Sequence, residues 1–294
     1  MTPVPQHATI ALVVLFHSTW TPLAAQDIEK TGIIPVEVSE SSGVAVSQRY
    51  PGVIWTHNDS GHRPFIYALR LNGELLAALR LNGARANDWE DMALGPCPTG
   101  VSDSEHCIYV ADTGDNFERR GSVIIYVVPE PDPFDSALRQ TERVHRIEFN
   151  YPDGPSDVEA LGVGPDRKAW LVTKGRTWPI RLYSLDLSAA IPQDNGQVTA
   201  TAVDTLGLPH VPLVGWVTSA AVSPSGQRLL VRTYVDIYSY LRTEDGLWFP
   251  QAACHIGAIE PQGEAIDFLD EETLVLTSEA LPGRPGPIHR VVCP

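Results

Sequence analysis

The chain has 294 residues and a formal net charge of −15, from 36 acidic and 21 basic residues. This acidity argues against nucleic acid as a partner, because phosphate backbones are bound by basic surfaces. It favours cations, neutral ligands or cationic partners instead. Hydrophobic residues make up 43% of the chain, which is enough for a large core and argues against a disordered polypeptide.

Residues 1–26 are predicted to be a secretory signal peptide, which leaves 27–294 as a single domain. The apolar run from Ile10 to Phe16 is followed by the small residues Ala24 and Ala25, which suit signal peptidase. The run is too short to span a bilayer comfortably, so no membrane span is expected after cleavage. An uncleaved apolar anchor is the alternative. The protein is therefore predicted to be exported, either to the periplasm or out of the cell.

The four cysteines agree with export. Cys97 and Cys107 flank a short polar loop, so local pairing is sterically easy, and this leaves Cys254 and Cys293 as the second pair. Four cysteines allow three connectivities, of which proximity favours this one. Disulfides persist in oxidising compartments. Because no C-x-x-C spacing occurs, a zinc site built from these cysteines is not favoured.

Short apolar or alternating segments, separated by Gly, Pro, Asn and Asp, predict an all-β fold. One unit recurs: an apolar strand opened by polar residues, a turn, a strongly apolar strand and then two further strands. The opening strand is visible five times, at 40–46, 88–94, 157–163, 216–222 and 262–268. Small residues beside the apolar ones, such as Gly43, Ala160 and Ala265, indicate strands that converge on an axis, as in a β-propeller.

We therefore predict a β-propeller with five blades. Six blades are the alternative, if the long interval between Asp91 and Asp157 contains a further blade, and a β-sandwich is the rival fold. The last repeat ends after three strands, at residues 287–292. A strand from Ile33 to Val38 is predicted to supply the fourth strand and to close the ring. The second disulfide would then tie the last two blades together.

Polar residues recur at two positions that a propeller brings to one end of its axis. The third position of the opening strand holds Ser42, Glu90, Glu159, Thr218 and Glu264. The segments that follow the second strands supply His57, Asn58, Asp59, Asp112, Asn116, Lys174, Arg232 and Tyr234. Glutamates around a narrow axis repel one another by roughly 4 kcal/mol per pair at about 4 Å and an effective dielectric constant of about 20. A cation, a proton or a basic side chain must compensate them.

These residues predict a divalent-cation site that binds a small-molecule ligand and hydrolyses an ester, lactone or phosphate. The expected cation ligands are Glu90, Asp112, Asn116, Glu159 and Glu264, whose oxygen atoms suit Ca²⁺ or Mg²⁺ better than zinc. His57 is expected to act as the base, while Lys174 and Arg232 stabilise an anion. Residues expected to contact the ligand are Asn58, Asp59, Trp89, Trp216 and Tyr234. The alternative is that the glutamates and basic residues only hold the blades together.

The first half of the chain contains a series of motifs typical of one family. W-T-H-N-D-S-G at 55–61, D-W-E-D at 88–91, Y-V-A-D-T-G-D-N at 109–116 and Y-P-D-G-P-S-D-V-E-A at 151–160 occur in this order. With these motifs the chain resembles a family of bacterial exported β-propeller proteins described as WD40-like or hypothetical. The resemblance implies a propeller and export, and it assigns no reaction. A looser similarity is to calcium-dependent propeller lactonases and phosphotriesterases, which have six blades and gather Glu, Asn and Asp at the axis.

Two further functions stay open. In a glycan-binding or glycoside-hydrolysing propeller, Trp89, Trp178, Trp216 and Tyr234 would stack on sugars and two carboxylates would act as acid and as base or nucleophile. A non-catalytic scaffold of the cell envelope, which binds a protein partner, is the third hypothesis. The sequence contains no G-x-S-x-G, G-x-x-x-x-G-K-[ST], G-x-G-x-x-G or H-E-x-x-H motif, so it does not predict the corresponding hydrolases, nucleotide-binding folds or metalloproteases.

Overall fold

The computed structural model describes residues 22–24, 27–102, 104–188 and 198–293. The predicted signal peptide therefore lies outside the described residues, except for a three-residue strand. In chain order the strands are β1 (Pro22–Ala24), β2 (Asp27–Ile33), β3 (Ser41–Val46), β4 (Val53–Asn58), β5 (Phe65–Arg70), β6 (Leu75–Asn82), β7 (Trp89–Pro96), β8 (His106–Asp112), β9 (Val123–Pro129), β10 (Gln140–Arg143), β11 (His145–Asn150), β12 (Val158–Val163), β13 (Lys168–Thr173), β14 (Arg181–Asp186), β15 (Val198–Thr199), β16 (Thr201–Thr205), β17 (Val217–Val222), β18 (Arg228–Thr233), β19 (Asp236–Arg242), β20 (Trp248–His255), β21 (Gln262–Phe268), β22 (Thr273–Glu279) and β23 (Pro287–Val292). A 3₁₀ turn at Val36–Val38 precedes β3.

The described strands form five sheets, which are the blades of a β-propeller. From the axis outwards, blade 1 is β3, β4, β5, β6 and β10; blade 2 is β7, β8, β9, β11 and β15; blade 3 is β12, β13, β14 and β16; blade 4 is β17, β18, β19, β20 and β1; and blade 5 is β21, β22, β23 and β2. The inner strands contact one another in chain order, and β21 contacts β3, so the ring closes. The predicted fold is confirmed. The interval from 91 to 157 contains strands of blades 1 and 2 and no further blade.

An N-terminal strand closes the ring as predicted, but it lies earlier in the chain. β2 (Asp27–Ile33) pairs antiparallel with β23 and completes blade 5. The predicted strand from Ile33 to Val38 was wrong, because the strand ends before Pro35. Proline has no N–H to donate to β23, and the chain turns into the 3₁₀ segment directly after it.

The hydrophobic core lies between the blades. The described buried apolar residues fall into five clusters, and each cluster joins two neighbouring blades. Trp55 of blade 1 packs with Trp89 of blade 2, for example, and Val44 of blade 1 packs with Ala265 of blade 5. Both faces of a blade are therefore covered. This explains why the inner strands are continuously buried and show no alternation of apolar and polar residues.

Both predicted disulfides are present. The Cα atoms are 4.9 Å apart in Cys97–Cys107 and 5.7 Å apart in Cys254–Cys293. The second bond joins β20 of blade 4 to the residue that follows β23 of blade 5, as expected. Among the described residues, no helix has the length and apolar character needed to cross a membrane.

Candidate functional site

Each inner strand has a β-bulge at the position where the sequence repeat has its polar residue. The register with the second strand shifts there in all five blades. The residues within these shifts include Ser42, Glu90, Glu159, Thr218 and Glu264, and all of them are buried. A bulge leaves its extra residue without a ladder partner and redirects the side chain, and bulges are common beside active sites. The glutamates also interact: Glu159 raises the pKa of Glu90, and Glu264 raises that of Glu159.

Three carboxylates form a compact group at this end of the axis. Each of Asp59, Asp88 and Glu90 offers an oxygen atom, and these atoms lie within 4.8 Å of one another. Asp59 follows β4 of blade 1, whereas Asp88 and Glu90 lie at the start of β7 in blade 2. The carboxylates of Asp88 and Glu90 receive no hydrogen bond from any described residue, and Glu90 is only 5% exposed. We call these residues the axial carboxylate group.

Burial and mutual repulsion make ionisation of the axial carboxylate group unfavourable. Burial raises the pKa of Asp88 to about 6, and the neighbouring Asp59 contributes to the shift. Burial, followed by Glu159 and Asp59, raises the pKa of Glu90 well above its ordinary value. Burial also raises the pKa of Asp59. A bound cation would reverse these shifts, because it favours the charged form of every carboxylate that contacts it.

Gly114 packs directly against the axial carboxylate group. A Cβ atom at this position would collide with Oε1 of Glu90 and would lie 2.6 Å from Cγ of Asp88. The backbone of the D-T-G-D-N motif therefore approaches the carboxylates so closely that any larger residue at position 114 would displace their side chains. Its N–H also donates to the main-chain oxygen of Asp88.

Asp112 fixes the backbone segment that carries Asp88. Its Oδ2 accepts a hydrogen bond of 2.9 Å from Nδ2 of Asn87, and its Oδ1 accepts one of 3.3 Å from the N–H of Asp88. Arg120 forms a 2.8 Å ion pair with the same carboxylate. Asp112 is fully buried among these donors. Asp112 therefore stabilises the turn that carries Asp88. This position gives no support to the prediction that Asp112 is a direct ligand of the cation.

Lys174 brings a positive charge to the same end of the axis. Its Nζ lies 2.6 Å from Oε1 of Glu159, and it lowers the pKa values of Glu90, Asp59 and Glu264 through space. Burial lowers the pKa of Lys174, but the surrounding carboxylates raise it, and the net shift is upward. Lys174 therefore stays protonated. Glu159, paired with it, is not part of the compact group.

Glu264 lies on the blade 5 side of this end of the axis. Its Oε1 accepts hydrogen bonds from Nε2 of Gln262 at 2.9 Å and from the hydroxyl of Tyr234 at 3.2 Å. Burial raises the pKa of Glu264 to about 7. Burial and the charge on Glu264 raise the pKa of Glu279 to about 8. Two carboxyl groups whose pKa values lie near neutral pH are thus available at the same end of the axis as the axial carboxylate group.

We call the end of the axis that carries the axial carboxylate group, Lys174 and Glu264 the axial mouth. His57 does not line this mouth. It is completely buried between blades 1 and 2, where its ring makes an edge-to-face contact with Trp89 at 5.4 Å between centroids. Nδ1 donates to the main-chain oxygen of Asn58, and Nε2 has no hydrogen-bond partner among the described residues. Burial lowers the pKa of His57 to about 4. A ring enclosed in this way gives no support to its expected role as a base.

Arg232 is also removed from the axial mouth. It is fully buried, forms an ion pair with Glu260 and donates to the main-chain oxygens of Ala265 and Thr277. Glu260 in turn lies 3.1 Å from Nδ1 of His289. These contacts join blade 4 to blade 5. They support the alternative prediction that Arg232 holds the blades together, and not its predicted role in stabilising an anion.

Several other residues predicted to bind the cation or the ligand have structural contacts instead. Asn58 is buried and fixes the segment before β3, because its side chain bonds the main chain of Glu37 and Glu40. Trp89 is completely buried and cannot stack on a ligand. Asn116 bonds Arg176 at 2.5 Å, and that guanidinium lies 5.0 Å above the ring of Trp216. Asn116 therefore lies outside the axial carboxylate group.

Sequence reasoning missed Asp88 and Asp91. Asp88 was visible as the first acid of D-W-E-D, two positions before Glu90. Asp91 is fully buried; its Oδ2 accepts hydrogen bonds from Ser219 Oγ and from the N–H groups of Leu161 and Ala220 at 2.9 to 3.1 Å. It thereby links the inner strands of blades 2, 3 and 4.

Solved structures with a similar fold include propeller enzymes. The PQQ-bound aldose sugar dehydrogenase from Streptomyces coelicolor aligns with a TM-score of 0.52 and 9% identity over 93% of this chain and 100% of that chain. A glucose dehydrogenase aligns with a TM-score of 0.50 and 10% identity over 91% and 100%, and a gluconolactonase from Xanthomonas campestris with 0.48 and 13% over 94% and 98%. The likeness is one of fold alone. No protein-family model and no curated protein matches the chain.

Proposed function

We propose that this protein binds a divalent cation, Ca²⁺ or Mg²⁺, at Asp59, Asp88 and Glu90, and uses the site to hydrolyse a small ester, lactone or phosphate. One observation carries the proposal: a buried glutamate without a hydrogen-bond donor lies within 4.8 Å of two further carboxylates. Carboxylate oxygens are the ligands that hard cations prefer, and three of them leave coordination positions for water and substrate. The close packing of Gly114 keeps this space free of a side chain.

The other residues at this end of the axis supply what such a hydrolysis requires. A cation in the site would polarise the substrate oxygen or lower the pKa of a bound water. Lys174 is protonated and stabilises the negative charge that develops on the substrate. Glu264, whose pKa is about 7, accepts a proton near neutral pH and takes the role expected of His57. Tyr234 and Gln262 hold its carboxylate in position.

We propose further that the protein works outside the cytoplasm, as an exported member of the family whose motifs it resembles. The two disulfides support this location, because such bonds rarely persist in a reducing cytosol. Dehydrogenases share its fold, so a catalytic role agrees with the architecture. Catalysis itself depends on the site and not on the fold.

Calorimetric titration of the purified protein with Ca²⁺, Mg²⁺ and Mn²⁺, after treatment with EDTA, tests cation binding. Binding is expected in the wild type and is expected to be lost in Asp88→Asn. Glu105→Gln is the matched control, because it also removes one negative charge but Glu105 is exposed and does not belong to the axial carboxylate group. At about 100 times the dissociation constant, the cation should add about 2.7 kcal/mol to the free energy of unfolding. Equal binding by wild type and Asp88→Asn, or none by either, would overturn the proposal.

Turnover is tested separately with chromogenic esters, lactones and phosphate monoesters in the presence of the cation. Lys174→Met is expected to lower kcat while cation binding persists, because the lysine does not belong to the axial carboxylate group. Cation binding without turnover of any of the three substrate classes would refute the hydrolase and leave the non-catalytic scaffold as the function of this site.

A further inference from the structure

The end of the axis opposite the axial carboxylate group contains a cavity. The inner strands run from one end to the other, and every blade contributes an apolar residue to the cavity wall: Val46, Leu94, Val163, Val222 and Phe268. Its volume is about 130 Å³. A cavity of about 150 Å³ accommodates benzene, so a molecule of about five or six non-hydrogen atoms fits here.

Asp267 is the one carboxylate among the described residues that line this cavity. Its Oδ2 accepts a hydrogen bond of 2.6 Å from the N–H of Val46, and its Oδ1 accepts one of 2.7 Å from the N–H of Phe268. A carboxylate oxygen can accept about two hydrogen bonds, so each oxygen keeps an acceptor position. No described basic residue forms an ion pair with Asp267. The carboxylate therefore has no ion-pair partner among the described residues, in a cavity whose lining also includes the polar residues Gln48, His106 and Ser223.

Joining two blades does not by itself require a charged residue at this position. Between blades 4 and 5 the hydroxyl of Ser219 accepts an inter-blade hydrogen bond of 3.2 Å from the N–H of Ile266, two positions earlier in the inner strand than the position of Val46. Asp91, in contrast, accepts four hydrogen bonds and has little acceptor capacity left. Of these three residues that join inner strands, Asp267 is the one that combines a carboxylate, two hydrogen bonds and an adjacent cavity.

We infer that this cavity is a binding site for a small aliphatic ammonium ion, with the ammonium group on Asp267 and the alkyl chain against the apolar wall. A single carboxylate is too few ligands for Ca²⁺ or Mg²⁺, which take six or more oxygens. The carboxylate would repel an anion, and a neutral ligand would leave the carboxylate without a countercharge. An ammonium supplies both the charge and the donors. The site is independent of the proposed cation site, from which the buried Asp91 network separates it along the axis.

An NMR or calorimetric titration with n-butylammonium, n-butanol and butyrate at about pH 8 tests this inference. Burial raises the pKa of Asp267 to about 7, so its carboxyl is ionised at that pH. We expect n-butylammonium to bind at least about tenfold more tightly than n-butanol, which has the same shape but no charge, and butyrate not to bind. Asp267→Asn should reduce the affinity for n-butylammonium to that for n-butanol. Glu90→Gln should leave it unchanged.

A second variant keeps the test valid if Asp267→Asn does not fold. Leu94→Trp fills the cavity from its partly exposed rim and leaves Asp267 in place. It should abolish binding of n-butylammonium. Equal affinity for n-butylammonium and n-butanol, no binding of n-butylammonium, or unchanged binding in Leu94→Trp would each overturn the inference. None of these outcomes affects the proposed cation site, whose test uses other residues and another ligand.

Discussion

Replacing Glu90 with glutamine is expected to raise the free energy of unfolding of the cation-free protein at about pH 8, and to leave it unchanged at about pH 4. The folded-state pKa of Glu90 lies well above its ordinary value of 4.5. Below both values the carboxyl is neutral in the folded and unfolded states and contributes nothing. As the pH rises past about 4.5, the unfolded state releases its proton first, so the wild type loses stability. Glutamine removes that penalty.

The structure sets the size of this effect. Two like charges 4.8 Å apart repel by about 3.5 kcal/mol at an effective dielectric constant of about 20, and Glu90 has two such neighbours at that distance or less. The protonated form limits the penalty, which at about pH 8 cannot exceed about 4.8 kcal/mol for a group with an unfolded pKa of 4.5. Lys174 offsets part of it. We therefore expect a gain of about 1 to 5 kcal/mol.

Urea unfolding in EDTA, followed by tryptophan fluorescence at both pH values, measures this gain, with Glu105→Gln as the control for one lost surface charge. Adding a divalent cation should reverse the order, because the wild type gains binding energy that Glu90→Gln lacks. A loss of stability in Glu90→Gln at about pH 8 in EDTA would refute the reasoning. It would mean that the carboxylate is held by favourable contacts in the empty site.

Three further predictions concern the close packing at the site and the ring itself. Gly114→Ala should abolish cation binding by calorimetry, because the added Cβ collides with Glu90; retained binding would show that the loop can move away. In calorimetric unfolding, removing Cys254–Cys293 should cost about 4 kcal/mol and removing Cys97–Cys107 about 3 kcal/mol, since the sequence separations are 39 and 10 residues; a reversed order would contradict the chain-entropy argument. Arg232→Met should cost about 3–5 kcal/mol in urea unfolding, because it leaves Glu260 buried without its arginine, and a loss below about 1 kcal/mol would contradict this reasoning.

The fold could be predicted because its signals are local and repeated. Each blade needs the same inner strand, the same small residues near the axis and the same turns, so five copies of one pattern indicated five blades. The disulfide between Cys97 and Cys107 followed from their proximity in sequence, and that left the second pair. The ring-closing strand was expected in the right role but in the wrong place, because Pro35 ends the strand.

The candidate site was predicted only in outline. The repeat indicated correctly that Glu90, Glu159 and Glu264 interact at one end of the axis. Residues that follow the second strands were harder to place, since neighbouring side chains point to different surroundings. Asp59 and Lys174 reach the mouth, whereas His57 and Arg232 are buried between blades.

The sequence by itself determined the number of blades, the disulfide pairs and the acidic character of the axis, because periodicity, spacing and composition are properties of the chain. Only the tertiary structure decided which carboxylates form a compact group. The bulge in each inner strand breaks the two-residue alternation at the polar position, so counting along the sequence no longer tells which side chain faces the axis. Asp88, which directly precedes β7, joins Asp59 and Glu90 because the fold brings the segment after β4 beside the start of β7, together with the space that Gly114 leaves open.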